Sequence, residues 1–286
     1  MKLPSGASLD FSGPALIMAI VNCNEDSFYA PSRALGKMAV EKALAAEADG
    51  AAIIDFGAES SRPGSSYISI DEELERLIPV IEEFRKKSSL PVSVDTRKAN
   101  TARSALDAGA DIINDISGLS DDPEMAALCA ERGAAVVLMH KKGEPLSMQE
   151  NPFYVDFAAE LKAWFDSAVN KAMMAGISGE KIILDPGIGF GKRPEDNLAI
   201  FRLLSRSPRL AEILGKDYPL LVGLSRKSFL CDITGRQDAE DRLSGTLAAN
   251  AAAIIGGADI IRVHDVKEHS DLVKIMFTLN PFNPGR

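Results

Sequence analysis

The stretch Asp49-Gly50-Ala51-Ala52-Ile53-Ile54-Asp55 decides how the chain is read, because its pattern recurs downstream. Ala108-Gly109-Ala110-Asp111-Ile112-Ile113-Asn114 repeats it closely, and Arg132-Gly133-Ala134-Ala135-Val136-Val137 keeps its outline. Gly257-Ala258-Asp259-Ile260-Ile261-Arg262 closes the series. In every copy a glycine stands where a helix would end, and a β-branched apolar run follows. Glycine adopts the positive φ of a helix terminus at little cost, while Ile and Val favour strands. A helix-to-strand junction that recurs along a chain marks a repeated βα unit.

Working outward, eight apolar runs can be counted: Ala15–Asn22, Ala51–Phe56, Pro91–Asp95, Asp111–Asp115, Ala134–His140, Lys181–Asp185, Pro219–Ser225 and Asp259–His264. They are apolar almost without interruption, as expected of parallel strands covered on both faces. Helical spacing lies between them. Ser69 and Glu72 form a capping box opening a helix that carries Leu74, Leu77, Ile78 and Ile81, with a kink predicted at Pro79. Phe157, Leu161, Trp164, Phe165 and Ala168 repeat the spacing, with Trp164 read as a core residue. No Pro/Gly/Ser-rich linker divides the 286 residues, a length that suits one barrel of about 250 residues with short extensions. The fold expected is α/β, a single (β/α)8 TIM barrel over residues 1–286 with its core at about 14–280. A doubly wound open sheet is the alternative, because periodicity does not prove closure.

Composition narrows the partners. The net charge of −9 and pI near 5.0 argue against nucleic acid or an anionic membrane, either of which favours a basic face. An anionic small molecule is still compatible, since a few local cations can make a positive pocket. Cys23, Cys129 and Cys231 are widely scattered and show no CxxC spacing, which speaks against structural zinc and for a reducing compartment. The first residues lack the layout of a signal peptide, and Pro14–Val21 is too short to span a bilayer. A cytoplasmic protein is expected.

The informative residues sit where the runs end, at Asn22, Asp55, Asp95, Asn114/Asp115, His140, Asp185, Ser225 and Arg262/His264. In a βα barrel all strand C-termini face one mouth, so these residues converge. Each alone has a plain structural reading: Asp95 or Asp115 can cap a loop, and Ser225 can satisfy a backbone group. Eight strands ending alike is hard to attribute to capping. The carboxylates and amide of Asp95, Asn114 and Asp185 suit a heterocycle rich in N–H groups, while Arg62, Lys227, Arg262 and His264 suit a phosphate or pyrophosphate. The segment Gly187-Ile188-Gly189-Phe190-Gly191-Lys192 is not a P-loop, because Pro186 stands where the first glycine belongs and Arg193 where Ser or Thr belongs. Its bland reading is a flexible turn after a strand. His264 and His269, five apart, do not share a helical face and make no metal pair.

Taken together, the motifs MAIVNCNEDSF (Met18–Phe28), ESSRPG (Glu59–Gly64), VDT (Val94–Thr96), NDI (Asn114–Ile116), LMH (Leu138–His140), LDPGIGFGK (Leu184–Lys192), SRKS (Ser225–Ser228) and RVHDV (Arg262–Val266) resemble the dihydropteroate synthase family of folate biosynthesis. The resemblance runs from about residue 14 to 280, and the last three motifs in this order are its most specific part. It implies a reaction joining 6-hydroxymethyl-7,8-dihydropterin pyrophosphate to p-aminobenzoate, with loss of pyrophosphate. By the same resemblance the pterin would be bound by Asp95, Asn114, Met139, Asp185, Phe190 and Lys227. The pyrophosphate would lie near Asn22, Ser61, Arg62, Arg262, Val263 and His264, with Mg²⁺ held through Asn22. The p-aminobenzoate pocket would comprise Phe28, Ser61, Pro63, Phe190, Ser225 and Lys227. Catalytic weight would fall on Asn22, Asp95, Lys227, Arg262 and His264, and the family's usual state implies a homodimer.

The chain departs from the family's pattern in its first two βα loops. Cys23-Asn24-Glu25 stand in place of Val-Thr-Pro, Tyr29-Ala30-Pro31-Ser32-Arg33 in place of a Gly-Gly segment, Ala58 in place of Gly and Ser61 in place of Thr. Altered loop dynamics with retained chemistry is the expectation. Two other readings compete with this one. A methyltransferase using methyltetrahydrofolate is opposed by SRKS, RVHDV and Arg62, since that reaction has no pyrophosphate to hold. A non-catalytic pterin-binding paralogue draws its support from the unusual first loop.

Overall fold

The recurrent glycines end helices as their spacing requires: Gly50, Gly109, Gly133 and Gly257 have φ of +105°, +107°, +62° and +99°. Each is followed by a strand. The computed structural model describes residues 1–23, 32–59, 68–143, 148, 150, 152–206 and 218–279. Their order is β1 (Leu16–Asn22), α1 (Ser32–Ala48), β2 (Ile53–Gly57), α2 (Ile70–Arg85), β3 (Val92–Asp95), α3 (Ala99–Asp107), β4 (Ile112–Asp115), α4 (Met125–Arg132) and β5 (Ala135–Met139). Then come α5 (Phe157–Met174), β6 (Ile182–Asp185), α6 (Pro194–Arg206), β7 (Leu221–Gly223), α7 (Phe229–Thr234), α8 (Leu243–Ile255), β8 (Ile260–Val263) and α9 (Val266–Leu279). Each apolar run in the sequence coincides with one of these strands, β2 extending one residue past its run to Gly57.

The strands form one parallel sheet in the order β6-β5-β4-β3-β2-β1-β8-β7. Its two ends meet through a parallel bridge between Leu184 and Leu220, where Leu184 N–H donates to Pro219 O at 2.9 Å. That contact brings the sheet into a nearly closed barrel and removes the open-sheet alternative. Inside, Met18, Ile53, Ile112, Val137, Ile183 and Ile260 form a buried cluster with Leu3 and Leu9 of the N-terminal segment. A Lys2–Ser8 antiparallel bridge folds that segment back across the barrel's lower end. The alternate strand residues face outward and pack against helices, as Ile54 and Phe56 do against Leu77, Ile81 and Phe84. Burying each such side chain contributes about 1.5–3 kcal/mol.

The N-cap expected at Ser69 forms, with one refinement. Ser69 Oγ accepts Glu72 N–H at 3.2 Å, but the Glu72 carboxylate turns to Arg76 at 2.5 Å, so only half of the capping box forms. Helix α2 runs on through Pro79. Glu75 and Pro79 both lie on its exposed face, where solvent can meet the carbonyl that proline leaves without a donor. Trp164 packs edge-on against His140, with ring centroids 5.2 Å apart, which bears out a packing role.

Candidate functional site

Two residues beyond the apolar layer, the inward positions become polar. Asp55 lies in β2, Asp95 ends β3, Asn114 lies in β4, Asp185 ends β6 and Arg262 lies in β8. Strand register sets Asp95 beside Asn114. Arg262 Nε donates to Asp55 Oδ2 at 2.6 Å and Arg262 Nη2 to Asp95 Oδ2 at 2.8 Å. Asn114 Nδ2 donates to the same Asp55 oxygen at 3.2 Å. Arg262 therefore sits in the floor, bridging two carboxylates, whereas its chemistry alone assigns it to an anion-holding rim. Burial works against its charge, yet the Asp55 and Asp95 carboxylates raise the guanidinium's pKa above its ordinary value. Burial also pushes the Asp95 carboxyl up to about 7, opposed by Arg262. Asp55 was legible as a strand end, but nothing in the sequence singled it out; its part in this network is visible only across the barrel.

The opposite side of the floor is built on the glycine-rich segment, which is no flexible turn. Lys192 is buried and its ammonium donates to the carbonyls of Gly187, Phe190 and His140 at 2.8, 3.1 and 3.1 Å. A Cβ at Gly187 would lie 1.9 Å from His140 O, and one at Gly191 would lie 2.0 Å from Lys142 O. Only glycine permits that close approach at the positive φ both residues adopt. Asp185 Oδ1 accepts Gly187 N–H at 2.7 Å, and burial raises its carboxyl, opposed by Lys227. Lys227 Nζ donates to Ile188 O at 2.5 Å and lies 4.6 Å from the Phe190 ring centroid. Burial lowers its pKa to about 8, opposed by Asp185. Phe190 packs with Ile116, Met139 and Met148 in a small apolar cluster. Such a surface suits the face of a flat ring, while the neighbouring polar atoms address its edge.

On the β7–β8 side, Ser225 Oγ accepts His264 N–H at 3.2 Å and lies 2.9 Å from His264 Nδ1. Between Ser225 and Lys227, Arg226 holds a left-handed φ of +58°. Its N–H donates to Thr246 Oγ1 at 3.1 Å, its carbonyl accepts from Arg242 at 2.9 Å, and its guanidinium grips Asp265 at 3.0 and 2.6 Å. A conformation disfavoured for a side chain with Cβ is held by its surroundings, as is common at functional sites.

Other candidates fall apart from this cluster. Val263 points its side chain into the core behind the sheet. Asp115 caps its own loop, accepting Ser117 N–H at 2.7 Å and Leu119 N–H at 3.1 Å. Asn22 is exposed at the end of β1, beside Gly57. Phe28, Ser61, Arg62 and Pro63 lie outside the described residues. The flanks of 60–67 are tied together: Ile68 N–H donates to Glu59 at 3.1 Å, and Lys98 Nζ bonds both Glu59 and Ile68 O at 2.8 Å. Among the described residues no cluster of three or more His, Cys, Asp or Glu side chains could hold a metal. No helix among them is long and apolar enough to cross a membrane.

Asp95, Asn114 and Asp185 each keep one side-chain oxygen without a partner among the described residues. With Lys227 they present several acceptors and one cationic donor to a ligand. The sequence pattern of the family described as pterin binding enzyme matches residues 18–264. Dihydropteroate synthase of Synechocystis sp. is 42% identical over 275 residues, 96% of this chain and 93% of the relative. The crystal structure of Yersinia pestis dihydropteroate synthase with a sulfonamide drug complex superposes with a TM-score of 0.89 at 36% identity, covering 96% of this chain and 98% of that one. Dihydropteroate synthase from Xanthomonas albilineans in complex with 7,8-dihydropteroate gives a TM-score of 0.83 at 37% identity, with 95% of each chain covered.

Proposed function

The chain belongs to the pterin-binding enzyme family, and from that premise we propose that it joins 6-hydroxymethyl-7,8-dihydropterin pyrophosphate to p-aminobenzoate, the dihydropteroate synthase reaction. The observation that carries this reading is the floor itself. Free acceptor oxygens on Asp95, Asn114 and Asp185 match the N–H-rich amino-pyrimidine edge of a pterin, and Lys227 supplies the donor its carbonyl or ring nitrogen needs. A ligand without that edge leaves buried polar groups unpaired and is rejected strongly. Met139 and Phe190 take the ring's face.

In the reaction the C–O bond between the pterin methylene and pyrophosphate breaks, and the electron pair leaves with pyrophosphate. The arylamine nitrogen forms the new C–N bond and then loses a proton to solvent. An aniline nitrogen is neutral at pH 7, so no strong general base is needed. Positive charge that develops on the pterin is stabilised by ionised Asp95. Negative charge gathering on pyrophosphate would be met by His264 and by Arg62, which lies outside the described residues. Such groups favour the transition state over the ground state. Ser225, with Phe28, Ser61 and Pro63, would line the p-aminobenzoate pocket. Mg²⁺ fits the donor set: Asn22 offers one hard oxygen at an exposed strand end, and this ion commonly completes its shell with phosphate oxygens and water. When bound it supplies positive charge to the leaving group.

The same reading carries a homodimer, a cytoplasmic location and one domain over the chain's length. The test is to incubate purified protein with both substrates, with and without Mg²⁺, and to follow dihydropteroate and pyrophosphate. Mg²⁺-dependent formation of both is expected. Binding of the pterin pyrophosphate without consumption of p-aminobenzoate would overturn the enzymatic reading.

A further inference from the structure

We propose that Asp55 is a positioning residue that sets the hydrogen-bond polarity of the barrel floor, an inference that rests on the pterin reading above. Asp55 is fully buried, and its Oδ2 accepts from both Arg262 Nε and Asn114 Nδ2. The amide group of Asn114 can present either an oxygen or an NH₂ to a ligand. A carboxylate only accepts, so Asp55 forces the NH₂ toward itself and leaves Oδ1 as the amide's free acceptor. Asn114 thereby joins Asp95 and Asp185 in addressing N–H donors. Without that constraint one position in the floor would read either polarity.

The same oxygen orients Arg262. With Nε bound to Asp55 and Nη2 to Asp95, the guanidinium plane is defined by the neighbouring strands β2 and β3. Charge-assisted bonds of this kind are about twice as strong as neutral ones. The second Asp55 oxygen, Oδ1, is buried without a partner among the described residues. A carboxylate held fully buried with one oxygen unsatisfied is unfavourable for folding. Its presence fits a role in arranging its neighbours more readily than a role in stability.

Asp55→Asn is the informative substitution, because it keeps the shape and one acceptor but removes both the charge and the obligation to accept. An amide at 55 can rotate and donate, which permits Asn114 to rotate in turn. Two readouts separate this from general damage. The first is the ratio of affinities for 6-hydroxymethylpterin and 6-hydroxymethyllumazine, which carries an oxygen where the pterin carries its amino group. Pterin affinity is expected to fall about tenfold and the ratio to fall with it.

The second readout is the pH dependence of pterin binding. The charged groups that act on Asp95 are Arg262 on β8, Asp55 on β2, Glu73 on α2, Asp115 on β4 and Lys227 beyond β7. Burial raises the Asp95 carboxyl, Arg262 lowers it, and the three carboxylates raise it further. Removing the Asp55 charge deletes one repulsion and leaves Arg262 to Asp95, so the acid limb should move to lower pH. A folded Asp55→Asn protein with an unchanged ratio and an unchanged acid limb would overturn the proposal. Should that variant not fold, the native protein supplies the test through the Arg262 Nε–H resonance, identified by its loss in Arg262→Lys. A slowly exchanging, downfield signal is expected, and a freely exchanging one sinks the assignment. A native protein that binds no pterin would instead count against the family function, so the two failures are distinguishable.

Discussion

On β2, β4, β6 and β8 two consecutive inward positions obey opposite rules. Ile53, Ile112, Ile183 and Ile260 make an apolar layer, and two residues further on stand Asp55, Asn114, Asp185 and Arg262. Contributions from alternate strands are the usual layering of such barrels. The lower layer gains stability simply by leaving water. The upper layer buries charge, which is unfavourable unless paired, and it is paired only in part: several acceptors wait for a ligand, and Asp55 Oδ1 has no partner among the described residues. The difference teaches that the two layers divide the labour. One holds the barrel closed, and the other keeps unsatisfied valences that a substrate completes.

Replacing one residue from each layer of β6 should break this comparison most sharply. Asp185→Asn is expected to lower kcat/KM about a thousandfold, or about 4 kcal/mol, with Tm little changed because the amide oxygen still accepts Gly187 N–H. Steady-state kinetics beside a thermal melt would check it, and retained activity would show that Asp185 does not hold the pterin. Ile183→Ala should do the reverse. A loss of about 3 kcal/mol in a urea melt is expected from the cavity it leaves, with kcat/KM changed only a few-fold.

The smallest effect, and the one that sharpens the picture of the upper layer, is the pH dependence. The Asp95 carboxyl, raised to about 7 by burial against the pull of Arg262, accepts bonds from the pterin with both oxygens, and most strongly, when ionised. Activity should therefore fall as pH drops through that value. Lys227, lowered to about 8 by burial, donates best while protonated, so activity should also fall above it. A narrow bell in kcat/KM between these limbs is expected, its two values belonging to the coupled floor rather than to single residues. A flat profile from pH 6 to 9 would remove both groups from the free enzyme's essential set.

Much of this molecule is local. Apolar runs of strand length and a glycine at each junction determine the βα order, because helix termination and strand preference depend on neighbours a few residues away. The row of polar strand ends follows from that order, which is why Asp95, Asn114, Asp185, Ser225 and His264 could be named as site candidates from residue type and position. The rest required the chain to close. Whether the ends of the sheet meet rests on Leu184 and Leu220, and no period in a sequence encodes that contact. Arg262 reads as a rim cation until Asp55, 207 residues away, is seen to hold it in the floor. The glycine-rich segment reads as a flexible turn until Lys192 is found bonded to three of the surrounding carbonyls. Electrostatic pairing and close backbone approach act through space, so these roles were settled by the folded barrel and not by the order of its residues.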